Sequence, residues 1–351
     1  MKTLRTAVAG LGRIGWEFHL PSVAAHAGFD LVAVCDALPE RLDEACTRYP
    51  AAGYADFDEM LERERPDLVV IATPTHLHVQ HAVAAMERGC DVFLDKPIGR
   101  DLAEADRILD ARKRTGQKLM LFQPRRADAE IQVLREILQS GLIGDVYMIK
   151  MARVGFVFRS DWQAFAKFGG GMLNNYGAHM IDTALYLAGS TARRTDAHLY
   201  TIASAGDAED VVKILIETEN RITLDIDINM ACALELPRAM AFGSCGTIAL
   251  MDGAHGQYCH ARYFDPKRQQ KAVASEAPAA AGRKYVTAQP AEWQEQNFPI
   301  CAEKGIDYYE KCYDYFALDA APFVPLAETR EVMRVVDACK KASESGNITT
   351  G

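Results

Sequence analysis

The sequence predicts an α/β fold in two parts. An N-terminal Rossmann domain, a doubly wound parallel sheet over residues 1–124, precedes an α+β domain over 125–351 built on a large, mostly antiparallel open sheet. Three observations carry this expectation. Short β-rich runs alternate with helical patterns through the first 123 residues, a glycine-rich turn follows the first run, and after Gln123-Pro124 the spacing becomes that of hairpins with few helices.

In chain order, Leu4–Ala9, Leu31–Cys35, Leu68–Ala72, Val92–Leu94 and Leu119–Phe122 read as strands. Between them Ile14–Ala27, Pro39–Tyr49, Leu77–Arg88 and Leu102–Thr115 carry helical periodicity, with Gly28, Gly89 and Gly116 placed as C-caps. Strands joined by crossover helices form a parallel sheet. Beyond residue 124 the patterns predict helices at Asp128–Ser140 and Met172–Ala188 and a strand near Val146–Phe158. Strands at His198–Ala203, Val211–Glu217, Ile222–Asn229, Ala239–Gly243 and Thr247–Met251 follow, with a turn at Glu219-Asn220-Arg221. The polar, Ala/Pro-rich stretch 265–290 reads as an exposed loop or arm, and Pro325 precedes a helix over Leu326–Ser345. An open sheet covered on one face by helices leaves the other needing cover, so a homodimer or homotetramer through the C-terminal sheet is expected.

The 351 residues carry 39 basic and 48 acidic side chains, a formal charge of −9, and 49% hydrophobic composition. That balance suits neither a phosphate backbone nor an anionic membrane, so nucleic acid and membrane are excluded as expected partners. Nine cysteines lie far apart with no CxxC pair, as in reduced proteins, and the N-terminus runs straight into a strand pattern; a cytoplasmic location is expected.

Gly10, Gly12, Arg13, Ile14 and Gly15 form a GxGxxG turn directly after the first strand and at the head of the first helix. Glycines there permit the tight turn, the approach of a pyrophosphate and close helix–strand packing, while the helix start attracts phosphate charge. Asp36 closes the second strand 21 residues beyond Gly15. A carboxylate in that place accepts from ribose hydroxyls and repels a 2′-phosphate, which favours NAD over NADP. Arg41 is the nearby cation that a 2′-phosphate would need.

Asp95-Lys96-Pro97 sits at the carboxyl end of the fourth predicted strand, the edge where such sheets bind ligands. Farther on, a glycine run, Gly169-Gly170-Gly171, leads into a helix on which Asn175 and His179 are i and i+4 neighbours and so can face one cavity. Asp182, three residues further, is placed to orient the imidazole. The series His76, His78, His81 has no Cys or carboxylate at ligand spacing, so no metal site is expected.

These motifs, with Ile71-Ala72-Thr73-Pro74-Thr75-His76-Leu77-His78 and Gly141-Leu142-Ile143-Gly144, resemble the glucose-fructose oxidoreductase, inositol dehydrogenase and rhizopine-catabolism (Gfo/Idh/MocA) family. The resemblance covers essentially the whole chain. It implies an NAD(P)-dependent dehydrogenase acting on a CH–OH group of a sugar, sugar derivative or inositol. It also implies that Thr73, Pro74, His78, Asp95 and Lys96 flank the nicotinamide and ribose, and that Lys96 touches the reacting oxygen. His179 matches the family histidine, whereas Asn175 stands where the family has aspartate and Asp95 where it has glutamate. Asn cannot take a proton, which leaves His179 as base, Lys96 as electrostatic partner and Asn175 as a positioning group. Arg159 and Trp162, before the glycine run, offer hydrogen bonding and a flat apolar face to a sugar ring. Two alternatives remain open: a lyase or glycosidase that oxidises transiently with tightly held NAD, and a non-catalytic dinucleotide or sugar sensor.

Overall fold

The computed structural model describes residues 2–253, 256–267 and 292–346. The expected arm at 265–290 lies, beyond Lys267, outside the described residues. The first part runs β1 (Leu4–Ala9), α1 (Leu20–Ala25), β2 (Phe29–Cys35), α2 (Pro39–Arg48), β3 (Ala52–Tyr54), α3 (Phe57–Glu64), β4 (Leu68–Ile71), α4 (His78–Glu87), β5 (Asp91–Asp95), α5 (Leu102–Thr115) and β6 (Leu119–Phe122). All of its strands pair in parallel, in the order β3-β2-β1-β4-β5-β6. The central strand β4 is an unbroken apolar run because both faces are covered, and all four of its residues are buried.

Local chemistry sets the element ends. Asp101 caps α5 by accepting from Glu104 N at 2.8 Å, and Gly116 closes it at φ +77°. The expected helix over Ile14–Ala27 instead opens with a turn wider than α at Gly15–His19, and α1 ends at Ala25. Pro21 has no N–H to donate one turn back, which suits a widened turn ahead of it. Gly28 is therefore not a helix cap. A Cβ there would lie 2.2 Å from the Tyr313 ring, so close packing requires the glycine.

The second part contributes α6 (Ala129–Gln139), β7 (Val146–Val154), α7 (Ala178–Ala188), β8 (Ala192–Tyr200), β9 (Val211–Thr218), β10 (Thr223–Asn229), β11 (Ala239–Gly243), β12 (Gly246–Gly253), β13 (Gly256–Tyr263), β14 (Gln294–Pro299), α8 (Tyr308–Leu318) and α9 (Leu326–Gly346). Its eight strands are ordered β14-β13-β12-β11-β7-β10-β9-β8, antiparallel except for β7 beside β10. β8 starts well before the expected His198, since the exposed Arg193 and Arg194 of this edge strand mask its pattern. β7 stops at Val154, after which Phe156 makes one bridge to Ala231.

Alternation along β1 divides the core. Ala7 and Ala9 face α4 and α5, whereas Leu4 and Val8 join Phe93, Phe122 and the aromatic residues of α8. The chain thus returns to its first sheet: the Tyr308 hydroxyl donates to Leu121 O (2.6 Å), and the Tyr313 hydroxyl to Lys2 O (2.7 Å). α6, α7 and α9 cover one face of the larger sheet, and α9 also packs on α5. The carboxyl ends of β1, β4 and β5 consequently face the start of α7.

Candidate active site

At the dinucleotide end, Gly10 has φ +90°, and a Cβ there would come within 2.5 Å of the Ala72 carbonyl; a Cβ on Gly15 would overlap Gly10 O at 1.8 Å. The chain's own packing demands both glycines. Gly12 differs, because a Cβ there would meet only the Arg41 guanidinium, at 4.0 Å. That open room over a glycine turn fits a pyrophosphate brought from outside. Asp36 is buried at the end of β2, where it accepts from Leu11 N (2.7 Å) and Leu38 N (3.0 Å) and pairs with Arg41 at 3.3 Å. Arg13 is exposed and paired with Glu17, and Ile14 is half-buried.

A cleft of about 640 Å³ runs from Gly12, Arg13, Ile14 and Asp36, past Thr73, Pro74, Asp95 and Lys96, to Asn175 and His179. Arg159 and Trp162 line its far side, with Arg159 held by Asp161 at 2.9 Å. The structure brings these residues together from both parts of the chain. His78 is a correction. It is buried behind the cleft wall, its ring nitrogens 2.8 Å from Pro97 O and 2.8 Å from Thr73 O, so it joins the two strand-end loops instead of facing the cleft. His81 stacks on Phe57 and bonds Thr73 Oγ1, while His76 meets Phe168. Among the described residues no group of three or more His, Cys, Asp or Glu side chains is placed to hold a metal ion.

The reactive end is assembled by hydrogen bonds that join the two parts. The Lys96-Pro97 bond is cis, and Lys96 N donates to Asp95 Oδ1 at 2.8 Å. Lys96 Nζ donates to Asn175 O (3.1 Å) and Asn175 Oδ1 (3.0 Å). Asn175 lies in a turn wider than α, Leu173–Gly177, a backbone irregularity common at functional sites, and His179 follows in the first turn of α7. Burial lowers the Lys96 pKa; Asp95 opposes this, and Arg125 and Arg13 add to it. Burial, then the charges of Lys96 and Arg125, hold His179 well below the ordinary histidine value. Asp95, by burial outweighing its Lys96 neighbour, is pushed up to about 6.

Asp182 does not orient the imidazole. Its carboxylate is taken by Arg126, Nε to Oδ2 at 2.7 Å and Nη2 to Oδ1 at 2.6 Å, a buried pair that Glu328 joins. His179 Nδ1 is enclosed with no hydrogen-bond partner, so the ring meets the cleft through its other nitrogen. Sequence reasoning also missed Arg125 and Asp128, paired at 2.9 Å, and Gln163, all lining the cleft. Their one signal in the sequence is proximity to Pro124 and Trp162.

Residues 4–123 match the family model described as the oxidoreductase family, NAD-binding Rossmann fold, and residues 131–249 match the GFO/IDH/MocA C-terminal domain. D-glucoside 3-dehydrogenase of Escherichia coli strain K12 is 29% identical over 202 residues, 56% of this chain and 58% of that protein. Inositol 2-dehydrogenase of Salmonella typhimurium is 30% identical over 151 residues, 42% of this chain and 45% of that protein. The chain thus spans about half the length of these curated relatives. An NAD-binding protein from Listeria innocua superposes with a TM-score of 0.84 over 99% of both chains at 23% identity, a likeness of fold.

The buried Arg126–Asp182 pair gives a first prediction. Asp182→Ala leaves the buried guanidinium with only the partly exposed Glu328 carboxylate and lowers stability in urea by about 3 kcal/mol. Because Asp182 does not touch His179, the pH profile of the remaining turnover stays that of the parent. A displaced acid limb would show that Asp182 acts through the imidazole.

Proposed function

Since this chain belongs to the Gfo/Idh/MocA family of oxidoreductases, we propose that it is an NAD-dependent dehydrogenase exchanging a hydride with a secondary alcohol or ketone of a sugar, sugar derivative or inositol. The observation that carries this reading is one continuous cleft holding the Gly12 turn at one end and Lys96, Asn175 and His179 at the other. Bound nicotinamide supplies the hydride acceptor or donor. The glucoside and inositol dehydrogenase relatives support a polyhydroxylated ring as substrate, and Arg159 and Trp162 are the proposed contacts to it.

His179, neutral at physiological pH, takes the proton of the reacting hydroxyl. Lys96 spends two ammonium hydrogens on Asn175 and directs the third to the substrate oxygen, where it stabilises developing alkoxide by roughly several kcal/mol in a site from which water is excluded. Asn175 fixes the lysine, and Asp95 fixes the main chain that bears it. Asp36 at the ribose end supports NAD over NADP; its pairing with Arg41 opposes recruitment of that arginine by a 2′-phosphate.

The outer face of the larger sheet supports the proposal of a homodimer or homotetramer. Leu215 and Met251 are exposed there beside an ion network in which Lys150 meets Asp225 at 3.1 Å and Lys213 meets Asp227 at 2.9 Å. Among the described residues no helix is long and apolar enough to cross a membrane.

A panel of sugars and inositols with NAD⁺ and NADP⁺ tests the activity, read as absorbance of reduced coenzyme. Net accumulation with NAD⁺, at least about tenfold faster than with NADP⁺, is expected. Substrate breakdown without accumulation would indicate transient oxidation, and unaltered ligand response in Lys96→Ala would indicate a sensor. In the pH profile of oxidation, the acid limb lies well below 6.5, because His179 must be neutral, and the alkaline limb below 10.5, because Lys96 must be charged. Asn175→Asp places a carboxylate beside both groups and moves both limbs upward; an acid limb at or above 6.5 in the parent contradicts this assignment. Sedimentation equilibrium should give two or four chains, and a single-chain mass overturns the assembly.

A further inference from the structure

An amide has two unlike ends, and only one can face an ammonium group. Asn175 turns its oxygen to Lys96 Nζ at 3.0 Å, and its nitrogen, Nδ2, donates to Gln163 Oε1 at 3.0 Å. Were the amide reversed, its NH₂ would oppose the lysine cation, donor against donor, while its oxygen would meet another acceptor. A carboxylate has no such ambiguity, because its two oxygens are equivalent.

We propose that Gln163 is a positioning residue that biases the Asn175 amide to keep its oxygen toward Lys96, so that residue 175 presents the lysine with an acceptor and not a donor. The consequence for turnover rests on the dehydrogenase reading; the orientation itself does not.

The main chain of Gln163 is fixed on both sides, which sets the position from which its side chain reaches Asn175. Its N–H donates to Asp161 Oδ1 at 2.9 Å, and its carbonyl accepts from Gly171 N at 2.9 Å. A Cβ on Gly170 would lie 2.3 Å from Gln163 O, and one on Gly171 would lie 2.3 Å from the Glu209 carboxylate, which itself accepts from Leu173 N at 2.9 Å. The glycine run therefore lets the loop bearing Gln163 close onto the turn bearing Asn175. Its contribution is to geometry, and it needs no mobility for that. Gln163 is uncharged and half-buried, and it acts on Lys96 only through the intervening amide.

The test reads Lys96 directly, in the full chain, by the pH dependence of its acylation with acetic anhydride, quantified by peptide mass spectrometry. Gln163→Leu should lower the Lys96 midpoint by about one pH unit, a tenfold change in proton affinity, because the freed amide no longer presents its oxygen reliably. Gln163→Glu, which still accepts from Asn175 Nδ2 and adds a negative charge, should return the midpoint to the parent value or above it. In the Asn175→Asp background, Gln163→Leu should shift nothing. An unchanged midpoint in Gln163→Leu overturns the proposal, as does an equal shift in both backgrounds, which would mean that Gln163 acts by packing. In turnover, Gln163→Leu should lower kcat about tenfold with KM little changed, and only when residue 175 is the native Asn. Absence of turnover in the parent protein alongside the expected labelling pattern would refute the dehydrogenase reading and leave this inference standing.

Discussion

The site depends on a single cation bridging two separately built parts of the chain. Lys96 leaves the end of β5, and its ammonium is held by two oxygens of Asn175, 79 residues on, at the entrance to α7. Neither partner makes a site alone. The parallel sheet delivers the lysine to the edge where its strands end, and the larger sheet sets the height and angle of α7 against that edge. α8, returning to pack on Phe93 and Phe122, and α9, packed on α5, keep the two parts in register.

Low dielectric surroundings give this arrangement its chemical character. Lys96 and Arg125 are cations beside a half-buried imidazole, and residue 175 contributes dipoles where a carboxylate would contribute charge. Burial therefore pushes both lysine and histidine toward their neutral forms. An easily protonated histidine is a poor acceptor at neutral pH, so the depression keeps His179 ready to receive a proton. The same surroundings raise Asp95 to about 6, so it stays largely ionised at neutral pH and opposes the lysine's depression.

Much of the fold was legible because it rests on local chemistry. β1, α5 and β6 have the bounds that periodicity and caps indicate, and the Gly10–Gly15 turn reads as a dinucleotide fingerprint because a strand precedes it, a helix follows it and Asp36 closes the second strand. α3 and β3 are short, and β13, β14 and α8 lack a clean period or lie beside the polar stretch, so they escaped notice. The site was legible where a motif carries its residues and illegible where tertiary contacts decide. Whether Asp182 serves His179 or Arg126 depends on where residue 126 lands, 56 positions away. His78 looked like a cleft residue, yet two carbonyls claim its ring. Gln163 carries no motif, since its role exists only once the glycine loop folds over it.

The central claim is that Lys96 and His179 converge on one substrate oxygen beside the nicotinamide. The most direct measurement is a crystal structure of the protein with reduced coenzyme and a polyol. The account predicts one carbinol oxygen within about 3 Å of both Lys96 Nζ and a His179 ring nitrogen, with its carbon facing the nicotinamide. A polyol whose oxygens meet neither side chain, or a coenzyme whose ring lies away from Lys96, would contradict it.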